Sequence, residues 1–125
     1  MESISPNIFT SDISKTIDFY KQLGFSLTMS VPETGPPEWV MMTNGEVTFM
    51  FQSYSSLGKE LPEINRAPGG SLLFYIRVKQ IRKMFDELQE KAKYLTPLAK
   101  TFYGATEFSI QDPNGYVLTF AEDEL

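Results

Sequence analysis

The chain has 125 residues, of which 42% are hydrophobic and 22% are charged, values typical of one globular domain. It contains no cysteine and no histidine, which excludes disulfides, thiolate or imidazole metal sites, and Ser-His-Asp or Cys-His catalysis. Eleven basic against sixteen acidic residues give a net charge of −5, so nucleic acid and anionic membranes are poor partners. Neither a signal-like leader nor a membrane-spanning apolar run is present, and we therefore expect a cytoplasmic protein.

Two amphipathic helices are predicted, one in each half of the chain. The first covers residues 12–23, with Ser11 or Asp12 as its N-cap. The second covers about residues 79–92. Apolar residues of the two helices correspond at one constant separation along the sequence. The corresponding pairs are Ile13 with Ile81, Ile17 with Phe85, and Tyr20 with Leu88.

The strand pattern repeats as well. Asn44-Gly45 and Asn114-Gly115 each lead into a β-rich run, and Asn-Gly between such runs favours a hairpin. Glu38 and Glu107 stand at corresponding places ahead of these turns. The predicted strands are 3–10, 25–31, 38–43, 46–53, 71–77, 94–98, 105–111 and 116–122, of which 94–98 is an edge strand or a loop because it contains Pro97.

This order predicts an α+β fold of two tandem βαβββ modules. Their curved sheets are expected to enclose a shared concave cavity, with the helices on the outer faces. The single domain covers residues 1–125, with module one at about 3–53, a connecting loop at about 54–70 and module two at about 71–122. The loop is rich in Ser, Gly and Pro.

Three segments carry a resemblance to a known family. They are the helix that ends in Leu23-Gly24-Phe25, the run Val47–Gln52, and the stretch from Gly104 to Tyr116 that contains Asp112-Pro113-Asn114-Gly115. Together they resemble the glyoxalase, bleomycin-resistance and extradiol-dioxygenase superfamily, also called the vicinal oxygen chelate superfamily. The third segment looks most like the bleomycin-resistance branch.

The resemblance implies four inward-facing positions, one each on strands one, four, five and eight, where metal-dependent members carry His and Glu ligands. Carried over to this chain, three of these positions fall on Ser5, Ser71 and Thr119, and the internal repeat, aligned on the two Asn-Gly pairs, places the fourth at Phe49. The set offers no anionic donor, and an aromatic ring stands at one of its places. Neutral hydroxyls do not offset the desolvation of a divalent ion, so we expect no metal and no other cofactor.

Alternation along the strands assigns further residues to the cavity wall, with Leu118 and Phe120 packed on the helices instead. Tyr103 is placed at a loop over the opening. The expected ligand-binding residues are Ser5, Asn7, Trp39, Met41, Phe49, Phe51, Ser71, Tyr75, Tyr103 and Thr119. The alternative for Phe49 and Phe51 is that they fill the core.

The carboxylates leave two interpretations open. Glu38 and Glu107 either face each other across a pseudo-twofold axis, sharing a proton or a cation, or are exposed strand residues paired with Lys or Arg. The second is favoured. Asp112 belongs to a turn and is not a catalytic group.

These residues predict a homodimeric small-molecule binding protein that sequesters an organic ligand, planar or cationic, in an aromatic cavity without metal. One alternative is a lyase or isomerase of glyoxalase type with an atypical metal site or none, whose base is Glu38, Glu107 or Glu122. A second alternative is a non-catalytic subunit whose cavity is filled by side chains.

Overall fold

A computed structural model describes residues 1–124. The chain divides into two compact units, Met1–Pro68 and a second unit that begins at Gly69. The elements in chain order are β1 (Asn7–Thr10), α1 (Ile13–Gln22), β2 (Ser26–Val31), β3 (Trp39–Asn44), β4 (Val47–Ser53), α2 (Tyr54–Leu57), β5 (Leu73–Arg77), α3 (Ile81–Glu87), β6 (Lys93–Lys100), β7 (Ala105–Gln111) and β8 (Val117–Asp123). Apart from the short α2, each unit therefore has the βαβββ order, and the α+β prediction is confirmed.

Each unit contains one mixed four-stranded sheet. The strand order is β1-β4-β3-β2 in the first unit and β5-β8-β7-β6 in the second. The pairs β1–β4 and β5–β8 are parallel, whereas the remaining pairs are antiparallel. Parallel pairing requires a crossover connection, and the helix α1 or α3 lies in that connection.

The helix α1 begins as predicted. The carboxylate of Asp12 accepts a hydrogen bond from the backbone N–H of Lys15 at 3.0 Å, so Asp12 rather than Ser11 is the N-cap. Tyr20 is fully buried and its ring contacts those of Phe49 and Phe51 on β4, at centroid distances of 5.6 and 4.7 Å. The aromatic core of the first unit thus lies between α1 and its sheet.

The helix α3 is shorter than predicted and is capped from a distant strand. Gln80 takes a left-handed conformation and offers no side-chain cap, with φ at 57°. The carboxylate of Glu122 on β8 instead accepts from the backbone N–H groups of Gln80 and Ile81, both at 3.0 Å. An acidic side chain at a helix N-terminus is stabilising, so Glu122 has a structural task.

Two segments differ from the predicted elements. The helix α2 lies inside the stretch predicted as a plain loop, and Ser53 caps it. Further along that loop, the Arg66 guanidinium donates to the carbonyl oxygens of Gly58, Glu60, Leu61 and Ile64, which gives the loop a fixed path. The segment 94–98, predicted as an edge strand or a loop, is an edge strand and is longer, Lys93–Lys100. Its register shifts on either side of Thr96 allow Pro97 to be accommodated.

The two modules cannot be aligned on their Asn-Gly pairs. Val40 pairs with Phe51 and Phe108 with Phe120, and all four side chains are buried. When these buried pairs are aligned, Val40 corresponds to Phe108 and Phe51 to Phe120. The two Asn-Gly pairs then no longer correspond to each other. The reason is the hairpin loop. The pairing of β3 with β4 ends at Asn44 and Val47, which leaves a short first loop, whereas the pairing of Gln111 with Val117 leaves a longer second one.

No helix within residues 1–124 is both long enough and apolar enough to cross a bilayer.

Candidate functional site

The first sheet has one face packed on α1 and a second face, here called the α1-distal face. Strand register places Met29, Met41 and Met50 in one row of this second face, beside Asn7. A neighbouring row contains Val31, Trp39, Gln52 and Phe9. These side chains are half-buried or exposed, and Met29 and Val31 keep 52% and 54% of their surface accessible. The face is therefore rich in aromatic rings and thioethers that α1 does not cover.

Phe49 and Phe51 were expected on this face, and that expectation is wrong. Both are buried in contact with Tyr20 of α1, and Phe49 also stacks on Phe25 with ring centroids 5.6 Å apart. The two hairpin loops differ in length. Aligning the modules on Asn-Gly therefore shifts β4 by one residue against β8, and a shift of one residue exchanges the two faces of a strand. The residue of β4 that corresponds to Thr119 of β8 is Met50.

Asn7 supplies the polar group of the α1-distal face. Its amide nitrogen donates to the side-chain oxygen of Gln52 at 2.9 Å. Its own side-chain oxygen is inaccessible to solvent and has no hydrogen-bond partner within residues 1–124. A buried acceptor without a partner is costly, and a ligand donor reaches this oxygen only when the Asn7 side chain rotates outward.

The second sheet has a corresponding face turned away from α3, here called the α3-distal face. Helix α3 packs on the opposite face, where Phe85 contacts Phe108 and Phe108 contacts Phe120. On the α3-distal face, the hydroxyl groups of Thr119 and Ser109 lie 2.8 Å apart and satisfy each other. Hydroxyl groups therefore occupy, in this sheet, the places where the first sheet has thioethers.

Three residues on this side of the second unit form one hydrogen-bonded group, here called the Tyr–Glu–Tyr cluster: Tyr75, Tyr103 and Glu107. The phenol groups of Tyr75 and Tyr103 both donate to the same carboxylate oxygen, Oε2 of Glu107, each at 2.5 Å. The bond to Glu107 is the main reason that the pKa of each phenol is raised above its ordinary value, and desolvation adds to it. The phenols therefore keep their protons at neutral pH.

The two glutamates expected to correspond do not do so. When Val40 is aligned with Phe108, the counterpart of Glu107 is Trp39, and Glu38 precedes β3. Within residues 1–124 neither carboxylate is paired with Lys or Arg. Glu38 accepts hydrogen bonds from the hydroxyl groups of Ser53 and Ser55 instead. The expected pairing of both glutamates with Lys or Arg is therefore wrong, and their facing arrangement stays a prediction.

The remaining predicted site residues lie outside the strands. Ser5 is half-buried ahead of β1, and Ser71 is exposed ahead of β5. Tyr103 lies in the turn between β6 and β7, next to the fully exposed Phe102. Met29 and Met50 were not among the predicted site residues, and Tyr75 and Tyr103 were predicted without their shared partner Glu107. Met50 is found when the two modules are aligned on their hairpin pairing instead of on their Asn-Gly turns.

A family model described as the glyoxalase/bleomycin resistance protein/dioxygenase superfamily matches residues 4–120. The chain belongs to this superfamily. A comparison with functionally curated proteins finds no match.

Several solved structures share the fold of this chain. The chain is similar to TioX from Micromonospora sp. ML1, with a TM-score of 0.77, 16% identity, and coverage of 99% of this chain and 100% of that one. It is similar to a glyoxalase/bleomycin resistance protein/dioxygenase family enzyme from Burkholderia phytofirmans PsJN, with a TM-score of 0.78, 20% identity, and coverage of 96% and 97%. It is also similar to a bleomycin-binding protein complexed with bleomycin, with a TM-score of 0.65, 17% identity, and coverage of 99% and 100%. At these identities the likeness concerns the fold alone.

The residues at the superfamily's metal positions do not fit a divalent ion. Phe49 is enclosed by other aromatic rings, and Met50, which takes its place on the α1-distal face, has a soft thioether sulphur. Thr119 is paired with the hydroxyl group of Ser109. Among residues 1–124 no three acidic side chains are grouped closely enough to hold a metal.

Proposed function

We propose that this member of the superfamily is a binding protein that sequesters a small organic molecule without metal and without making or breaking a bond. The observation that carries the proposal is the α1-distal face, where Trp39, Met41 and Met50 are half-buried although α1 packs on the other side of the sheet. An aromatic and thioether surface with a few polar groups is typical of small-molecule sites, and Met side chains adapt to varied ligand shapes.

Two polar groups support an oriented ligand on this surface. The side-chain oxygen of Asn7 lacks a partner in the described part of the chain, and rotation of this half-buried side chain would bring the oxygen to a ligand donor. The indole of Trp39, the chain's only tryptophan, offers a planar surface for stacking. The ligand class we propose is therefore a planar organic molecule with at least one N–H or O–H donor.

The fate of the glutamates supports binding over catalysis. Glu122, one of the three bases considered for a lyase or isomerase, caps α3 with both of its carboxylate oxygens. Proton uptake by Glu122 would compete with this cap. Glu38, a second of the three, accepts hydrogen bonds from the hydroxyl groups of Ser53 and Ser55.

The proposal includes a homodimer in the cytoplasm. Support for the dimer comes from the edge strand β2, where Leu27, Met29 and Val31 are exposed to 41%, 52% and 54%. An edge strand with exposed apolar side chains is suited to pair with a second copy. Light scattering coupled to size exclusion tests the dimer, and a Met29→Lys variant is expected to shift the mass towards that of the monomer.

A thermal-shift screen against planar aromatic, cationic and thiol-conjugate compounds tests the function. A ligand at a hundred times its Kd stabilises the folded state by about 2.7 kcal/mol, which raises the Tm by several degrees. Met41→Ala should reduce the shift, whereas Met84→Ala on α3 is the matched control and should not. If no compound class raises the Tm, the binding function is refuted. If a compound is consumed, the protein is an enzyme and sequestration is refuted.

A further inference from the structure

We propose that the Tyr–Glu–Tyr cluster is a subsite for a cationic nitrogen group that carries N–H donors, such as a primary ammonium, an amidinium or a guanidinium. The inference rests on the proposed function, because it names the ligand chemistry that the second unit of such a binding protein would take. Its evidence lies in the second unit alone and does not involve Trp39 or the methionines.

The directions of its hydrogen bonds make the cluster an acceptor. Both phenolic protons of the cluster are directed at Oε2 of Glu107, at 2.5 Å from each phenol oxygen. The other carboxylate oxygen, Oε1, has no hydrogen-bond partner within residues 1–124. The group therefore presents only acceptors outward, namely Oε1 and the remaining lone pairs of the two phenols. A ligand group that matches it must be a donor.

The Tyr–Glu–Tyr cluster also carries a negative charge. Glu107 is half-buried, and within the described residues no cation is paired with it. On the neighbouring strand β6, Lys100 pairs with Thr106 and forms no ion pair with Glu107, and Arg77, two strands away, is paired with Asp123 at 2.9 Å. The raised pKa of both phenols keeps them neutral, so the charge of the cluster is that of its one carboxylate, and no described residue forms an ion pair with it. A cation bound there gains a charge-assisted hydrogen bond.

The Tyr–Glu–Tyr cluster is accessible to a ligand. Tyr75 and Tyr103 keep 46% and 57% of their surface exposed, so a ligand can reach both rings. Two aromatic rings beside a carboxylate also favour a cation through their negative faces. The hydrogen-bond geometry then separates N–H cations from quaternary ammonium ions, because the latter have no donor for Oε1.

Isothermal titration with three matched probes tests the subsite: benzamidine, the neutral benzamide and the quaternary benzyltrimethylammonium. We expect benzamidine to bind at least about tenfold more tightly than either of the others, in line with a charge-assisted hydrogen bond. Glu107→Gln keeps the shape of the side chain and removes the charge, and it should abolish that preference. Glu38→Gln, in the first unit, is the matched control and should preserve it.

The outcomes separate this inference from the proposed function. Equal affinity for benzamidine and benzamide, or an unchanged preference in Glu107→Gln, overturns the subsite. If at the same time a planar compound still raises the Tm and alters Trp39 emission, the binding function stands without the subsite. Loss of both responses refutes both.

Discussion

Adjacent residues of β4 should differ sharply in their contribution to stability. Phe49 retains 3% of its surface, and its ring contacts those of Tyr20, Phe25 and Phe51. Burial of a phenylalanine side chain contributes about 1.5–3 kcal/mol, and the cavity left by its removal adds to the loss. Phe49→Ala should therefore lower the free energy of unfolding by about 3–5 kcal/mol. Met50→Ala should cost about 1–2 kcal/mol, because that side chain is only half-buried.

Urea unfolding followed by far-UV circular dichroism measures both differences. Both variants should unfold with the wild-type denaturant dependence, so that their midpoints report stability. A ligand found by the thermal-shift screen should bind Phe49→Ala with nearly wild-type affinity below its unfolding transition, and Met50→Ala more weakly. Equal losses of stability in the two variants would refute the assignment of faces on β4. Weaker ligand binding in Phe49→Ala alone would refute the α1-distal face as the binding surface.

Three further outcomes are expected. Glu122→Ala should lower the free energy of unfolding by about 1 kcal/mol through the loss of the α3 cap, and an unchanged urea midpoint would contradict that role. Since the bond to Glu107 raises the pKa of Tyr75 and Tyr103, its contribution to stability is complete below about pH 10 and is lost as the pH rises through the raised values. Ultraviolet titration of the phenols should then show earlier ionisation in Glu107→Gln and no change in Glu38→Gln; identical curves for all three proteins would contradict the hydrogen bonds. Protein purified without chelator should contain far less than one divalent ion per chain, and a stoichiometric ion would contradict a metal-free site.

The helix and strand order could be predicted because each element carries a strong local signal. The spacing of Ile13 and Tyr20 and the cap at Asp12 depend on nearby residues alone. The shortening of α3 was not predictable in this way, since its cap is supplied by Glu122, which lies far along the chain from Ile81. The ordered loop around Arg66 was missed for a similar reason, because its bonds to backbone carbonyls have no sequence pattern.

The site was predictable only in part because its faces depend on register. Trp39 and Met41 lie on the face predicted for them, since the alternation of β3 is regular. Phe49 was assigned to the wrong face because one loop residue more or fewer reverses every later side chain. The Tyr–Glu–Tyr cluster joins a strand, a turn and a second strand, and no spacing in the sequence indicates that two phenols share one oxygen of Glu107.

Fluorescence titration of Trp39 tests the binding function most directly, because this single tryptophan lies on the proposed surface. Compounds from the three classes are added to the wild-type protein and to Met41→Ala, with Met84→Ala as control. We expect a saturable change in emission at one ligand per chain, weakened in Met41→Ala and retained in Met84→Ala. Emission that no compound alters, or that responds alike in all three proteins, would contradict the binding function.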